Sequence, residues 1–299
     1  MGYKPGLDSR IQSLLIAIRP KQWTKNLFLF AAIIFAQRVG DGSALLKVVG
    51  AFACFCFLSS GVYLVNDVLD LEQDRRHPLK SQRPVASGKI GRREALSWGA
   101  WFAAVGLAAS FWLHFGFGLV CVSYLLLQGC YMFWFKHAVI LDVVSVAIGF
   151  VLRAVAGAVV IGVQFSHWLM VCTFFLALFL IVCKRRHELV LLGEESSRHR
   201  RSLVGYSPAM LDQMVAVVTS SAVITYALYA VSADTVAKFG GDQLIYTLPF
   251  VVFGIFRYLY LVYRKEEGGS PEGLLLNDKP LLLNILLYGV TAALLVYWK

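Results

Sequence analysis

The sequence predicts an all-α, polytopic membrane protein, on three observations. Of its 299 residues, 58% are hydrophobic and only 15% are charged, whereas a soluble domain carries about half and roughly a quarter. Apolar runs of about 20 residues recur from end to end, the length a helix needs to cross roughly 30 Å of hydrocarbon. Lys and Arg crowd into alternate loops, as the positive-inside rule requires of a chain threaded through a bilayer. Together these exclude an ordinary soluble enzyme, a disordered chain and a disulfide scaffold.

In chain order, hydropathy and its breakers mark nine transmembrane helices within a single integral-membrane domain, 1–299. They run roughly over 23–37, 44–65, 95–113, 116–135, 138–163, 167–183, 210–232, 243–262 and 279–298. The first is short, and the apolar stretch Ile11–Ile18 before it either extends that helix or lies along the interface. The N-terminal stretch has too short an apolar run, and no small-residue cleavage site, for a signal peptide. Spans three and four are separated only by the tight turn around His114, Phe115 and Gly116. Cys54, Cys56, Cys121, Cys130, Cys172 and Cys183 all fall in apolar stretches without a CxxC pair, and read as small buried hydrophobes.

Twenty-three of the 28 Lys and Arg residues fall in the N-terminus and the loops after spans two, four, six and eight. Four, namely Arg38, Lys47, Lys238 and Lys299, fall on the other side, and Arg153 lies within span five. The N-terminus is therefore expected in the cytoplasm and the C-terminus outside. The net charge of +10 then reads as loops facing anionic lipid headgroups, with the bilayer and not nucleic acid as the partner.

The most informative stretch is Asn66–Gly88, NDVLDLEQDRRHPLKSQRPVASG, at the end of span two. On a continuing helix Asn66, Asp70 and Asp74 share one face. A row of carboxylates repels itself unless a cation lies between them. Oxygen ligands without sulfur or imidazole suit Mg²⁺, which takes one or two carboxylates plus substrate phosphates. Arg75, Arg76, His77, Lys80 and Arg83 follow at once and suit the remaining phosphate oxygens. The plainer alternative is a solvated acidic helix end.

A second constellation, Lys136, Asp142, Ser145, Gly149 and Arg153, spans the fifth helix, the last four at helical spacing. Ionisable groups at membrane depth mark function unless they pair. Asp142 and Arg153 lie about 16 Å apart along a helix, too far to pair with each other. Each needs another partner, in a shared polar cavity or in a structural contact between helices. Weaker signals are Lys25 and Asn26 just inside the first span, with Arg19 and Lys21 either part of that signal or only interfacial anchors beside Trp23. The loop Lys184–Glu188 and His199–Ser202 is either positive-inside charge or a phosphate site. Walker loops, nucleophile triads and zinc sites are missing from the sequence.

Asn66–Asp74 as NDxxDxxxD, followed by HPxKxxRPxxxG, resembles the first signature of the UbiA superfamily of intramembrane prenyltransferases. Within it, the chain resembles the decaprenyl-phosphate phosphoribosyltransferase branch. RPKQWTKN at 19–26, YLVNDVLD at 63–70, FKHAVILD at 135–142, GFVLRAVAG at 149–157, KRRHEL at 184–189, RRSLVGYS at 200–207 and FRYLYLV at 256–262 carry that likeness. Ordinary members have a second DxxxD-like motif near 136–153; here only Asp142 is present, with Val146 four residues on.

The resemblance implies a nine-helix bundle around a polar cavity open to the cytoplasm, in a bacterial plasma membrane, and leaves a homo-oligomer open. It implies transfer of 5-phosphoribosyl from 5-phosphoribosyl-1-pyrophosphate to polyprenyl (decaprenyl) phosphate, with Mg²⁺ as cofactor, supplying a lipid-linked pentose for cell-envelope glycan synthesis. Asn66 and Asp70 are assigned to the metal, with Asp70, Asp74 and Lys80 as the catalytic set. Lys25, Tyr63, Lys80, Arg83 and Lys136 are placed on the donor's phosphates, and Arg153 and Lys184 on the lipid phosphate. A phosphate monoester is already ionised at neutral pH, so the chemistry asks for leaving-group stabilisation and alignment of two anions. Two rivals remain: a conventional prenyltransferase using a prenyl diphosphate, and a transporter of a phosphorylated lipid or sugar.

Overall fold

In the computed structural model of the chain, the described residues are 7–192, 201–265, 269 and 271–297, and every regular element among them is helical. Helix α1 (Leu7–Ala17) leads into a 3-10 segment, Pro20–Leu29, and the short α2 (Phe30–Phe35). There follow α3 (Gly42–Leu69), α4 (Leu71–Arg76), α5 (Arg92–Leu113), α6 (Phe115–Phe133), α7 (Leu141–Val160) and α8 (His167–Leu192). The chain ends with α9 (Pro208–Val231), α10 (Ala233–Phe239), α11 (Leu248–Arg264), α12 (Pro271–Asn277) and α13 (Lys279–Tyr297).

Eight helices among the described residues are long and apolar enough to cross a membrane: α3, α5 to α9, α11 with its lead-in from Gln243, and α13. The second to ninth expected spans each fall on one of them.

The first expected span is built differently. Pro20 opens ten residues of 3-10 helix before six residues of α2. In a 3-10 helix every third side chain eclipses, and the sequence supplies that period. Trp23, Asn26 and Leu29 form one row, with Asn26 and Leu29 fully buried and Trp23 Nε1 donating to Ser60 Oγ at 3.1 Å. Lys25, Phe28 and Ala31 continue a second row, along a cavity wall. A 3-10 helix rises faster than an α-helix, so these sixteen residues reach about 29 Å, close to the thickness of the hydrocarbon core.

α7 is the most buried of the long helices and joins two apolar cores. Its first half packs Val143, Ala147 and Phe150 with Phe179, Leu211 and Tyr258 of α8, α9 and α11. Its second half packs Ala156, Ala158 and Val160 with Leu29, Phe55 and Phe117. Between helices in lipid, close backbone approach replaces the hydrophobic effect as the source of cohesion. Gly157 provides one such approach, since a Cβ there would fall 2.0 Å from the Leu29 carbonyl oxygen. Gly61 provides another, where a Cβ would lie 2.7 Å from the Gly99 carbonyl oxygen on α5.

Two further local outcomes bear on the site. His114 is the extended residue between α5 and α6, and its Nδ1 accepts from the Phe117 N–H at 3.3 Å. α8 does not end at Cys183, where the apolar run stops, but continues through Lys184–Leu192. Its charges are compensated: Arg186 Nε donates to Asp212 at 2.5 Å and lies over the Tyr263 ring. His199 and Arg200 of the adjoining basic segment, and Lys4 and Lys299, lie outside the described residues.

Candidate active site

Around Asp70 the helix is interrupted but its hydrogen bonding is not. Asp70 leaves helical geometry between α3 and α4, yet its N–H bonds the Asn66 carbonyl at 2.9 Å and its carbonyl accepts from Asp74 at 2.8 Å. Asn66 Nδ2 donates to Asp70 Oδ2 at 2.8 Å, so these two of the three expected residues share a face. Lys136 Nζ, from the loop before α7, donates to Asp70 Oδ1 at 2.6 Å.

Asp74 turns to a second group. Arg83 Nη1 reaches Asp74 Oδ2 at 2.6 Å and Asp67 Oδ1 at 3.3 Å, and Arg19 Nη2 also pairs with Asp67. The acidic motif therefore splits into Asn66–Asp70–Lys136 and Asp67–Asp74–Arg83–Arg19. Asp67 is 1% exposed, and its Oδ2 is buried without a partner among the described residues.

Arg19 is not an interfacial anchor. It adopts a left-handed backbone at φ 53°, ψ 63° immediately before Pro20, a conformation costing about 1–3 kcal/mol in a non-glycine residue. Its guanidinium pairs with Asp67 and lies 5.0 Å from the centre of the Tyr63 ring. Burial lowers its pKa, and the Asp67 carboxylate opposes that shift.

Beside the acidic motif lies a cavity of about 1350 Å³. One part is polar, lined by Arg19, Lys25, Tyr63, Gln128, Arg153 and Lys184. The rest is an apolar arm between α2 and α13, walled by Ile34, Phe35, Ile285, Ala292 and Val296. At the far end of that arm Tyr297 donates to the Ile34 carbonyl at 2.9 Å and Gln37 to the Val296 carbonyl at 2.5 Å, tying α13 to α2.

Arg153 is 5% exposed and, among the described residues, is hydrogen-bonded by neutral groups only. Its Nε donates to Asn26 Oδ1 at 2.8 Å, Nη1 to the Gly149 carbonyl at 2.8 Å and Nη2 to the Tyr124 hydroxyl at 2.9 Å. Asn26 is thus a polar link between the 3-10 segment and α7, beside the Gly157–Leu29 packing.

Asp142 is fully buried and surrounded by donors. Arg185 Nε at 2.9 Å and Ser202 Oγ at 3.1 Å reach its Oδ2, and the Tyr206 hydroxyl reaches Oδ1 at 2.7 Å. Tyr206 Oη also accepts the N–H of Ile140, which sits at φ 71° as the cap before α7. Burial first, and then the bond to Asp142, push the Tyr206 phenol up, so it stays protonated and donating. Asp142 knots α7, α8 and the 201–206 segment together, and of the two partners the sequence left open for it, the structural one holds.

Of the residues expected to bind substrate, Lys25, Tyr63, Arg153 and Lys184 line the cavity. Arg83 and Lys136 belong to the adjoining ion-paired groups. Lys80 stands on the 3-10 turn Lys80–Gln82, where His77 Nδ1 accepts from the Leu79 and Lys80 N–H groups at 3.1 and 3.3 Å. Sequence reasoning overlooked Asp67, although it stands inside the motif, and the roles of Arg19 and Asn26, which the Arg-Pro and period-three pattern signalled.

Comparison with known proteins identifies the family and the fold. The chain is 34% identical over 289 residues to a decaprenyl-phosphate phosphoribosyltransferase of Corynebacterium glutamicum, covering 95% of this chain and 86% of the relative. It is 32% identical to the Mycolicibacterium smegmatis protein of the same name, covering 97% and 94%. A solved structure of a UbiA homolog from Archaeoglobus fulgidus, bound to GPP and Mg²⁺, superposes with a TM-score of 0.71 at 21% identity, covering 95% and 96%. With the UbiA prenyltransferase family profile matching residues 27–275, this multi-pass membrane protein belongs to the UbiA prenyltransferase family.

Proposed function

We propose that this protein transfers 5-phosphoribosyl from 5-phosphoribosyl-1-pyrophosphate to a polyprenyl phosphate and releases pyrophosphate. The relatives named decaprenyl-phosphate phosphoribosyltransferase match nearly the whole chain, which favours this reading over prenyl transfer. The observation that carries it is the state of the two acidic positions. Asp142, where ordinary members of the family have a second acidic motif, is spent on Arg185, Ser202 and Tyr206. One acidic motif and several cations remain, an inventory for one diphosphate and one further anion.

The donor set fits Mg²⁺. Asn66 and Asp70 offer oxygen ligands, with the Asn66 amide nitrogen already committed to Asp70. No group of three or more His, Cys, Asp or Glu among the described residues could cage an ion, so donor oxygens would complete the shell, as Mg²⁺ commonly allows. When bound, the ion neutralises charge on the leaving diphosphate.

The protein's own residues align two anions. Lys25, Tyr63, Lys80, Arg83 and Lys136 hold the donor's phosphates, and Arg153 and Lys184 hold the lipid phosphate, with the prenyl chain in the apolar arm. A lipid phosphate oxygen attacks C1 as the bond from C1 to the diphosphate oxygen breaks, through a transition state of oxocarbenium character. The nucleophile is already an anion, so no general base is required. The positive-inside charge supports a cytoplasmic side for this site, where a soluble sugar phosphate has access.

Purified protein in detergent should release pyrophosphate only when phosphoribosyl pyrophosphate and polyprenyl phosphate are both present. Asp70→Asn should lower turnover on the order of a thousandfold, and chelation should match it, with unfolding temperature nearly unchanged. Undiminished turnover of Asp70→Asn at saturating donor would remove Asp70 from the metal site.

A further inference from the structure

We infer that Gln128, on the cavity face of α6, is the amide of a subsite for sugar hydroxyls. The inference rests on the phosphoribosyl reading above and assigns the part of the donor that the cations leave unexplained.

Tyr124, Gln128 and Tyr131 recur at helical spacing on one face of α6 and all line the cavity. The Tyr124 hydroxyl is taken by Arg153. The Gln128 amide is half-buried and makes no hydrogen bond among the described residues. Its donor and its acceptor both face the polar part of the cavity, where a polar ligand can meet them.

Gly149 of α7 stands opposite. A Cβ there would lie 3.5 Å from Gln128 Nε2 and 3.5 Å from Arg153 Nη1. The amide and the guanidinium therefore approach the same point on α7.

The chemistry of the amide decides what belongs there. Phosphate oxygens only accept, and the nearby cations serve them. A primary amide both donates and accepts, the pattern that matches a hydroxyl, which also does both. An isoprenoid offers neither group. A pentose ring beside Arg153 would present its hydroxyls to Gln128 while C1 faces the anion held by the guanidinium.

The test compares two probes that differ by the sugar. Binding of phosphoribosyl pyrophosphate and of inorganic pyrophosphate, each with Mg²⁺, would be measured calorimetrically on detergent-purified wild type, Gln128→Leu and Gln128→Asn. The inference expects wild type to favour the sugar-bearing probe. Both variants should lose roughly three- to tenfold of their affinity for it, with pyrophosphate binding unchanged. Leu removes the amide, and Asn retracts it by one methylene, so a folding defect in one leaves the other informative. Unchanged affinity for the sugar-bearing probe in both variants, or an equal loss for the two probes, overturns the subsite. Wild-type protein that binds pyrophosphate but gains nothing from the sugar also overturns it, while the diphosphate site stands. Wild-type protein that binds neither probe defeats the donor assignment and the subsite with it.

Discussion

Arg153 and Arg185 are both buried guanidiniums on neighbouring helices, both lining the same cavity, and they differ in what faces them. Arg185 is met by two carboxylates, Asp142 at 2.9 Å and Glu188 at 2.5 Å. Arg153 is met by an amide, a carbonyl and a phenol, and by no carboxylate among the described residues. A buried cation that has its counterions serves the fold. One that is only solvated by neutral groups leaves its charge available to an anionic ligand. Asn26 and Tyr124 set the Arg153 fork in place without cancelling it, the arrangement expected of a preorganised anion site.

Three substitutions probe that contrast. The largest effect on folding should come from Asp142→Ala, which leaves the buried Arg185 with Glu188 alone and takes the acceptor from Ser202 and Tyr206. Removing one partner of a buried pair costs about 3–5 kcal/mol, so unfolding in detergent should come at markedly lower denaturant. A stable Asp142→Ala protein with an altered Mg²⁺ requirement would instead make Asp142 a ligand.

Arg153→Lys tests the other arginine. An ammonium cannot reproduce the guanidinium's fixed fork, and loss of a charge-assisted contact costs about 1.5–3 kcal/mol. The KM for polyprenyl phosphate should rise roughly ten- to a hundredfold, far more than that for phosphoribosyl pyrophosphate. Equal effects on both substrates would move Arg153 to the structural side of the comparison.

The smallest effect belongs to Tyr206→Phe, which removes one donor from Asp142 and the acceptor for the Ile140 N–H. A loss of about 1–2 kcal/mol is expected, with Arg185 still pairing with Asp142. A loss as large as that of Asp142→Ala would show that the phenol, and not the guanidinium, carries the knot.

The spans and the acidic motif were legible because each is local. Hydropathy placed α3, α5 to α9, α11 and α13, and the four-residue spacing of Asn66 and Asp70 put them on one face. Hydropathy counts residues without weighing period, so Trp23, Asn26 and Leu29 passed as part of an ordinary helix instead of a 3-10 row. It also ended α8 at Cys183, because the partners that let charge continue along the helix are distant in sequence. Asp142 meets donors 43 and 64 positions away, and Arg153 meets Asn26 across 127. No local pattern encodes such pairings; they follow from which helices the fold brings together.

In the proposed reaction the anion delivered beside Arg153 attacks a phosphoribosyl carbon and not a prenyl carbon. This is tested most directly by mass spectrometry of the lipid product after incubation with polyprenyl phosphate, phosphoribosyl pyrophosphate and a prenyl diphosphate together. The predicted result is a phosphoribosyl ester of the polyprenyl phosphate, formed in equal amount with pyrophosphate, with the prenyl diphosphate untouched. Consumption of the prenyl diphosphate, with phosphoribosyl pyrophosphate left intact, would contradict it.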